Sequence, residues 1–374
     1  MKILFLQLES PTIGGIWGVN KVLALKFSLK NEVTIISARK SDSNYVESMP
    51  SNIKMITINN NSWDRVRINQ IIRKKSFKLL KERLKQNESR KKDYQMIRNY
   101  ILDIKPDVII NSHYELLDSI PNSYLKKTVN VFHTSYKNIK ENNRFAINKL
   151  KKYQTKIGKL VWLTKETYKN ALNDGLTNST YIYNPVKFEV KDLPNISSHK
   201  KLVTIARLSS KEKNIDEMIK IVDKVFKECK DWSFELYGPG LPSEKSLEII
   251  KNNPRIELKG ITNNSKEVLL SSSIYLSTSL YEGFSLSILE ANTCGLPVLT
   301  YNFGESCSEE VIDKKAGFIV SNENEFAEKL KQLINNNKLL EELSQNAFEF
   351  SKNFNIDIII NEWYKLFDGI GELW

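Results

Sequence analysis

Residues 274–320 read IYLSTSLYEGFSLSILEANTCGLPVLTYNFGESCSEEVIDKKAGFIV. The apolar run Ile274–Ser277 has the length of a strand, and a loop with Glu282 and Gly283 follows it. Helical spacing then begins near Ser285 and covers Leu286–Thr293. Beyond Gly295, the runs Pro297–Thr300 and Phe318–Val320 predict two further strands. Short apolar strands that alternate with helices are the pattern of a parallel sheet covered on both faces.

The same alternation extends to both ends of the chain. Toward the N-terminus it predicts strands at Ile3–Leu8, Val33–Ser37, Met55–Ile58, Val108–Asn111, Thr128–Phe132, Leu160–Leu163 and Thr180–Tyr183, with helical spacing at Val19–Leu29 and Glu166–Leu172. A second series follows at Leu202–Ala206, Ser233–Tyr237, Arg255–Leu258 and the three strands named above, with helices at Ile215–Phe226, Glu323–Leu333 and Leu339–Lys352. Between the series, Asn184–Lys200 carries two prolines and clustered Ser and Asn, which is linker composition. The 374 residues thus divide into an N-terminal α/β domain, 1–185, a linker, 186–199, and a C-terminal α/β domain, 200–354. Both read as Rossmann-like and doubly wound, facing a central cleft, with ligands expected beyond the carboxyl ends of the strands.

Composition narrows the function classes. The chain is 41% hydrophobic and 27% charged, ordinary for a globular protein. Cys229, Cys294 and Cys307 have neither metal-site nor redox-pair spacing, so they read as reduced thiols in a cytoplasmic protein. Ile3–Leu8 is too short for the apolar core of a secretion signal and reads as a buried first strand. Nowhere is there a run long enough for a membrane span. The net charge of +12 implies an anionic partner or a solubility role. Asp64–Arg98 contributes most of it, with 13 Lys or Arg against 4 Asp or Glu. Val66, Ile68, Ile71, Ile72, Phe77, Leu79, Leu80 and Leu84 interleave with those charges. The segment reads as a basic amphipathic helix or helix pair. Its apolar face lies either on the domain core or on an anionic membrane surface, where each basic side chain adds about 1 kcal/mol. The chain has no recognition helix, zinc finger or single-strand-binding signature, so nucleic acid is not an expected partner.

The chemistry concentrates where the opening stretch turns from strand to helix. The first N–H groups of a helix are unpaired and sit at its positive end, a place for a diphosphate. Ser285 is a candidate N-cap, and Gly283 lets backbone approach a ligand. Glu290, about a turn and a half into the helix, could accept two hydrogen bonds from a ribose diol.

Glu282 and Glu290, in the frame YEGFSLSILEANTCGLPVL, resemble the paired-glutamate motif of retaining glycosyltransferases of the GT-B fold, especially the family-4 (group 1) enzymes. Further stretches resemble that family in its order: GGIWGVNKVLALKFSLKNEVTII, FHTSY, YNPV, IARLSSKEKNIDEMI, LYGPG, IELKGIT and EEVIDKKAGFIV. The resemblance implies that Arg207 and Lys213 grip the donor diphosphate, doing without a metal or other cofactor, since two fixed cations stabilise charge that grows on a leaving group. No Asp-x-Asp pair points to a metal. It implies that Glu290 binds ribose, that Glu282 holds a donor-sugar hydroxyl, and that His133 sits beside the transferred sugar. Gly14 and Gly15 would close a first-domain loop onto phosphate, and residues near Gly304–Ser306 would meet the sugar and phosphate. Gly238, Lys259 with its neighbours Leu258–Gly260, Gly283, Phe284 and Ser285 complete the donor-binding set, with the base at Leu258–Gly260. Residues 355–374 would cross back as a helix onto the first domain, burying Ile358–Ile360, Trp363 and Leu366. His113 is a rival to His133, and His199 reads as exposed.

Two departures stand out. Asn214 replaces the glycine that commonly follows the phosphate-gripping lysine, and the loop Tyr301–Glu309 lacks the usual Gly-Gly. The expected reaction is sugar transfer from a nucleotide-sugar donor, UDP favoured, with retention through a front-face, oxocarbenium-like transition state. The expected acceptor is a glycan, lipid-linked, in bacterial surface polysaccharide assembly, served from the cytoplasmic face of the membrane. The rival readings are a nucleotide-sugar 2-epimerase of the same fold and a non-catalytic basic protein that binds membrane or nucleic acid.

Overall fold

The computed structural model describes residues 1–11, 14–40, 48–59, 77–304 and 306–371. All thirteen expected strands are present, three of them (Val108–Asn111, Ser233–Tyr237 and Ile274–Ser277) residue for residue. The first sheet holds β1 (Lys2–Glu9), β2 (Glu32–Arg39), β3 (Ile53–Asn59), β4 (Val108–Asn111), β5 (Thr128–Val131), β6 (Lys159–Trp162) and β7 (Ser179–Tyr181), in the order β3-β2-β1-β4-β5-β6-β7. The second holds β8 (Lys201–Ile205), β9 (Ser233–Tyr237), β10 (Ile256–Gly260), β11 (Ile274–Ser277), β12 (Val298–Tyr301) and β13 (Gly317–Val320), in the order β10-β9-β8-β11-β12-β13. Every strand pair is parallel. Helices cover both faces, so central strands such as β4 and β11 are buried throughout. The strand order reverses between β1 and β4, and again between β8 and β11. Those are the switch points where loops diverge and leave a crevice.

Six helices position the site: α1 (Gly15–Phe27), α2 (Phe77–Ile104), α3 (Lys165–Asn173), α4 (Ile215–Phe226), α5 (Leu286–Thr293) and α6 (Ile356–Gly371). Residues 182–200 contain no strand or helix. They are nonetheless packed: Val186 lies in the core of the first sheet and Ile196 in that of the second.

Helix α6 returns to the first sheet and lies on α1. It buries Ile359, Ile360, Trp363, Phe367 and Ile370, each contributing about 1.5–3 kcal/mol relative to exposure. The Phe27 ring meets those of Tyr364 and Phe367 at 5.5 and 5.6 Å. Lys26 pairs with Asp357 at 2.6 Å. Ile358 departs from expectation: it is 47% exposed, because the helical turn carries it away from the stripe formed by 359, 360, 363, 367 and 370.

Of the basic segment, residues 64–76 lie outside the described residues. The helix expected there is present as α2. Toward its C-terminal end Ile97 and Ile101 are buried in the domain core, while Arg90, Lys91 and Lys92 are exposed. This part of the helix therefore has its apolar side on the core. No helix among the described residues is long and apolar enough to cross a membrane.

Candidate active site

The loops after β8 and β11 flank the switch point of the second sheet and are stitched together. Thr278 Oγ1 donates to the carbonyls of Lys213 and Asn214 at 3.0 and 2.9 Å, and Leu280 N donates to Glu212 O at 2.8 Å. This stitching places Lys213 on Glu282, and the two form a direct ion pair with side chains 19% and 13% exposed. Asn214 adopts φ 50° and ψ 41°, the left-handed region. Glycine suits that region best and asparagine tolerates it better than other side chains, which accounts for the departure noted above. Arg207, from the same β8 loop, is not brought to this pair. Its side chain is 64% exposed, with Glu212 at 3.8 Å, a loose surface contact.

Helix α5 starts beside this pair, but its N-terminus is not an open cradle. Ser285 occupies the N-cap position without a side-chain capping bond. Its own N–H donates to Glu310 Oε2 at 2.7 Å. Glu310 is 1% exposed, and burial, reinforced by the nearby Glu282 charge, raises its pKa well above the usual carboxylate range. Its Oε1 has no hydrogen-bond partner among the described residues. A buried acid at a helix N-terminus was not anticipated; the only hint is the doubled acid in EEVIDKKAGFIV.

Glu290 is 4% exposed and carries two contacts: Lys187 Nζ lies 2.7 Å from Oε1, and Ser265 Oγ donates to Oε2 at 2.8 Å. Neither partner was singled out from the sequence, since both come from segments without a motif.

Several residues expected to bind the donor also make packing contacts within the protein. A Cβ at Gly283 would stand 2.6 Å from Thr134 Cα and 2.8 Å from His133 O. The glycine therefore lets the β11 loop press on first-domain backbone. Phe284 is 7% exposed and its ring packs with Tyr183 and Phe354 at 6.0 and 5.7 Å, an aromatic joint between the domains. Gly238, at φ 138°, abuts the Ala206 carbonyl, and its N–H donates to Gly260 O at 2.8 Å. Its role is to bring the ends of β8 and β9 together. Lys259 is held by Glu257 at 2.6 Å and Glu235 at 3.4 Å, which raises its pKa.

Across the crevice, Gly14 precedes α1, and a Cβ at Gly15 would lie 3.7 Å from Leu286 Cδ1 at the start of α5. The two helix starts thus face each other. The first-domain side is neutral and polar. Asn20 Nδ2 donates to Gln7 Oε1 at 2.7 Å and Ser112 Oγ at 2.9 Å, and Asn111 Nδ2 donates to Asn130 Oδ1 at 2.7 Å. His133 Nε2, Gln7 Nε2, Asn111 Oδ1 and Asn130 Nδ2 are buried without a hydrogen-bond partner among the described residues. Burial pushes the His133 pKa down to about 4, so the imidazole is neutral at pH 7. His113 is tied into the fold, its Nδ1 accepting from Leu8 N at 3.3 Å. His199 is exposed, as expected.

A second carboxylate joins the halves. Glu309 accepts from the N–H groups of Lys165 and Glu166, at the start of α3, at 2.9 and 2.7 Å, and from Tyr183 Oη at 2.6 Å. The three thiols are buried and unpaired by disulfides, with Cys294 and Cys307 pushed up to about 12 by burial.

Comparison with known proteins agrees with this architecture. Residues 186–350 match the model of the glycosyl transferases group 1 family. The second half of the chain is therefore similar to the group 1 glycosyl transferases, and the whole has the GT-B fold. Poly(ribitol-phosphate) alpha-N-acetylglucosaminyltransferase of Staphylococcus aureus is 30% identical over 234 residues, 60% of this chain and 47% of that protein. Poly(glycerol-phosphate) alpha-glucosyltransferase of Bacillus subtilis is 31% identical over 177 residues, 45% of this chain and 26% of that one. The chain thus spans less than half the length of either relative. A crystal structure of a S. aureus TarM variant with Fondaparinux, alpha-GlcNAc-glycerol and UDP superposes with TM-score 0.74 at 18% identity, covering 98% of this chain and 100% of that one. Anabaena HepE with UDP and glucose gives 0.69 at 16% identity, covering 98% of each.

Proposed function

We propose that this protein is a retaining glycosyltransferase that moves a sugar from a nucleotide-sugar donor to a glycan of the bacterial cell surface. The observation that carries the reading is the Lys213–Glu282 pair beside the start of α5, inside the matched domain and at the switch point of its sheet. A largely covered lysine opposite a helix N-terminus is suited to a nucleoside diphosphate as charge builds on it. Lys213 stabilises the leaving diphosphate, and Arg207, whose side chain is exposed on the β8 loop, adds its charge when donor binds, with no metal required. Glu282 then exchanges Lys213 for a donor-sugar hydroxyl. On the opposite wall, neutral His133 and the amides around it suit uncharged sugar hydroxyls, which they can bind without the cost of burying a charge. Closure of the two walls excludes water and favours a front-face transfer.

UDP is the favoured nucleotide, in line with the UDP named in the TarM and HepE structures. The acceptor class follows from the relatives named for poly(ribitol-phosphate) and poly(glycerol-phosphate), and from the net charge of +12, which suits an anionic or lipid-linked glycan at the cytoplasmic face of a membrane. Calorimetric titration of UDP and of GDP, without added metal, tests the proposal. One nucleotide binds to the wild-type protein, and Lys213→Ala removes most of that affinity. Binding of neither nucleotide overturns the reading.

A further inference from the structure

Lys187 lies on the segment between the two domains and belongs to none of the motifs discussed above. Its Nζ is 2.7 Å from Glu290 Oε1, and its Cε is 3.3 Å from where a Cβ would stand at Gly18 on α1. The ammonium therefore sits where α1 of the first domain approaches α5 of the second. Gly18 leaves room for its stem. The two side chains differ in exposure: Lys187 is 39% exposed and Glu290 5%. One partner is solvated and adjustable, and the other is locked in the protein.

A carboxylate has about four acceptor directions. Lys187 and Ser265 take one on each oxygen, which leaves two, the number that a vicinal diol needs. A carboxylate this deeply covered is costly to keep ionised without a counter-charge. The other basic side chain close by, Lys266, donates to the Glu189 carbonyl at 2.7 Å and is engaged there. Without Lys187, Glu290 would lose its counter-charge and the contact that fixes the direction of Oε1.

We propose that Lys187 is a positioning residue for nucleotide recognition: it pairs with Glu290 and holds it oriented so that the carboxylate reads the 2′- and 3′-hydroxyls of the ribose. This rests on the nucleotide-sugar reading above and adds to it a residue that selects ribonucleotides over deoxyribonucleotides. Lys187 acts through Glu290 and need not touch the ligand.

The experiment is calorimetric titration of UDP, GDP and their 2′-deoxy forms on the wild-type protein, Lys187→Met and Lys187→Arg. Hydrogen bonds to a charged group correspond to about a tenfold to hundredfold preference for the ribonucleotide in the wild type. Lys187→Met is expected to bring that ratio close to one by weakening the ribonucleotide more than the 2′-deoxy form, which keeps only its 3′-hydroxyl contact, while Lys187→Arg keeps the preference. If circular dichroism shows Lys187→Met unfolded, Lys187→Gln takes its place, and the same fall in ratio is expected. An unchanged ratio in the neutral variant, or an equal loss for both forms, overturns the role of Lys187 and leaves the glycosyltransferase reading standing. A wild-type protein that binds no nucleotide overturns both.

Discussion

The two walls of the crevice solve different problems with different residues. The wall from the second domain carries ion pairs, Lys213 on Glu282 and Lys187 on Glu290, and Glu310 accepts from the N–H of Ser285 at the N-cap of α5. The wall from the first domain is built of neutral amides and an imidazole: Gln7, Asn20, Asn111, Asn130 and His133. Both lie at the carboxyl ends of parallel strands, so topology alone does not distinguish them. Charge does. Paired charges can be exchanged for those of a diphosphate. Buried neutral groups with open hydrogen-bonding capacity match hydroxyls, and a charge placed among them would be strongly disfavoured. On the proposed reading, the contrast matches the donor's anionic end to one domain and uncharged sugar hydroxyls to the other.

Substitutions can break this contrast. The largest effect is expected on the charged wall. Lys213→Ala removes the cation that faces the growing charge and leaves Glu282 without its partner. Turnover, followed as acceptor-dependent release of UDP, should fall by about 10²–10³, in line with loss of one electrostatic stabiliser of a transition state. A loss smaller than tenfold would move the diphosphate grip elsewhere.

The neutral wall is tested by acid. The His133 pKa is about 4 in the folded chain against 6.5 for an ordinary histidine. Between these values the unfolded chain binds the proton and the folded chain does not, so stability falls as pH drops from 6.5 to 4 and rises as pH rises. The loss reaches at most about 3 kcal/mol, since part of the residue meets solvent. His133→Gln, which cannot titrate, should flatten this part of the profile in urea unfolding. An acid limb identical to wild type would show that the imidazole is not held neutral.

The smallest effect concerns the contact that joins the walls. Glu309→Gln weakens three hydrogen bonds that cross from the second domain to α3 and Tyr183. A loss of about 1–2 kcal/mol in thermal unfolding is expected, because charge-assisted bonds at a helix N-terminus give way to neutral ones. A change within error would mean that this carboxylate is solvated and the halves are held by their other contacts, the aromatic joint among them.

Local regularities explain why so much of the fold was legible. A parallel strand buried on both faces needs a short apolar run and little else, and a helix over it needs its own spacing. Ile274–Ser277 and Leu286–Thr293 were therefore readable residue for residue. The paired glutamates were visible because both lie in one strand–loop–helix unit. What the sequence determined by itself was thus the two α/β sheets, their strand positions and the strand–loop–helix unit that carries both glutamates. Only the tertiary structure decided which charge meets which. Lys187 reaches Glu290, Glu309 reaches the start of α3, and Gly283 meets Thr134 across separations of about one hundred residues or more. No local pattern encodes such a meeting, because it depends on how two independently formed sheets come to face each other. For the same reason the packing of Phe284 and Gly238, read from the sequence as ligand contacts, came only with the structure. An apolar ring and a missing side chain do the same local work in both roles, and only the atoms lying opposite distinguish them.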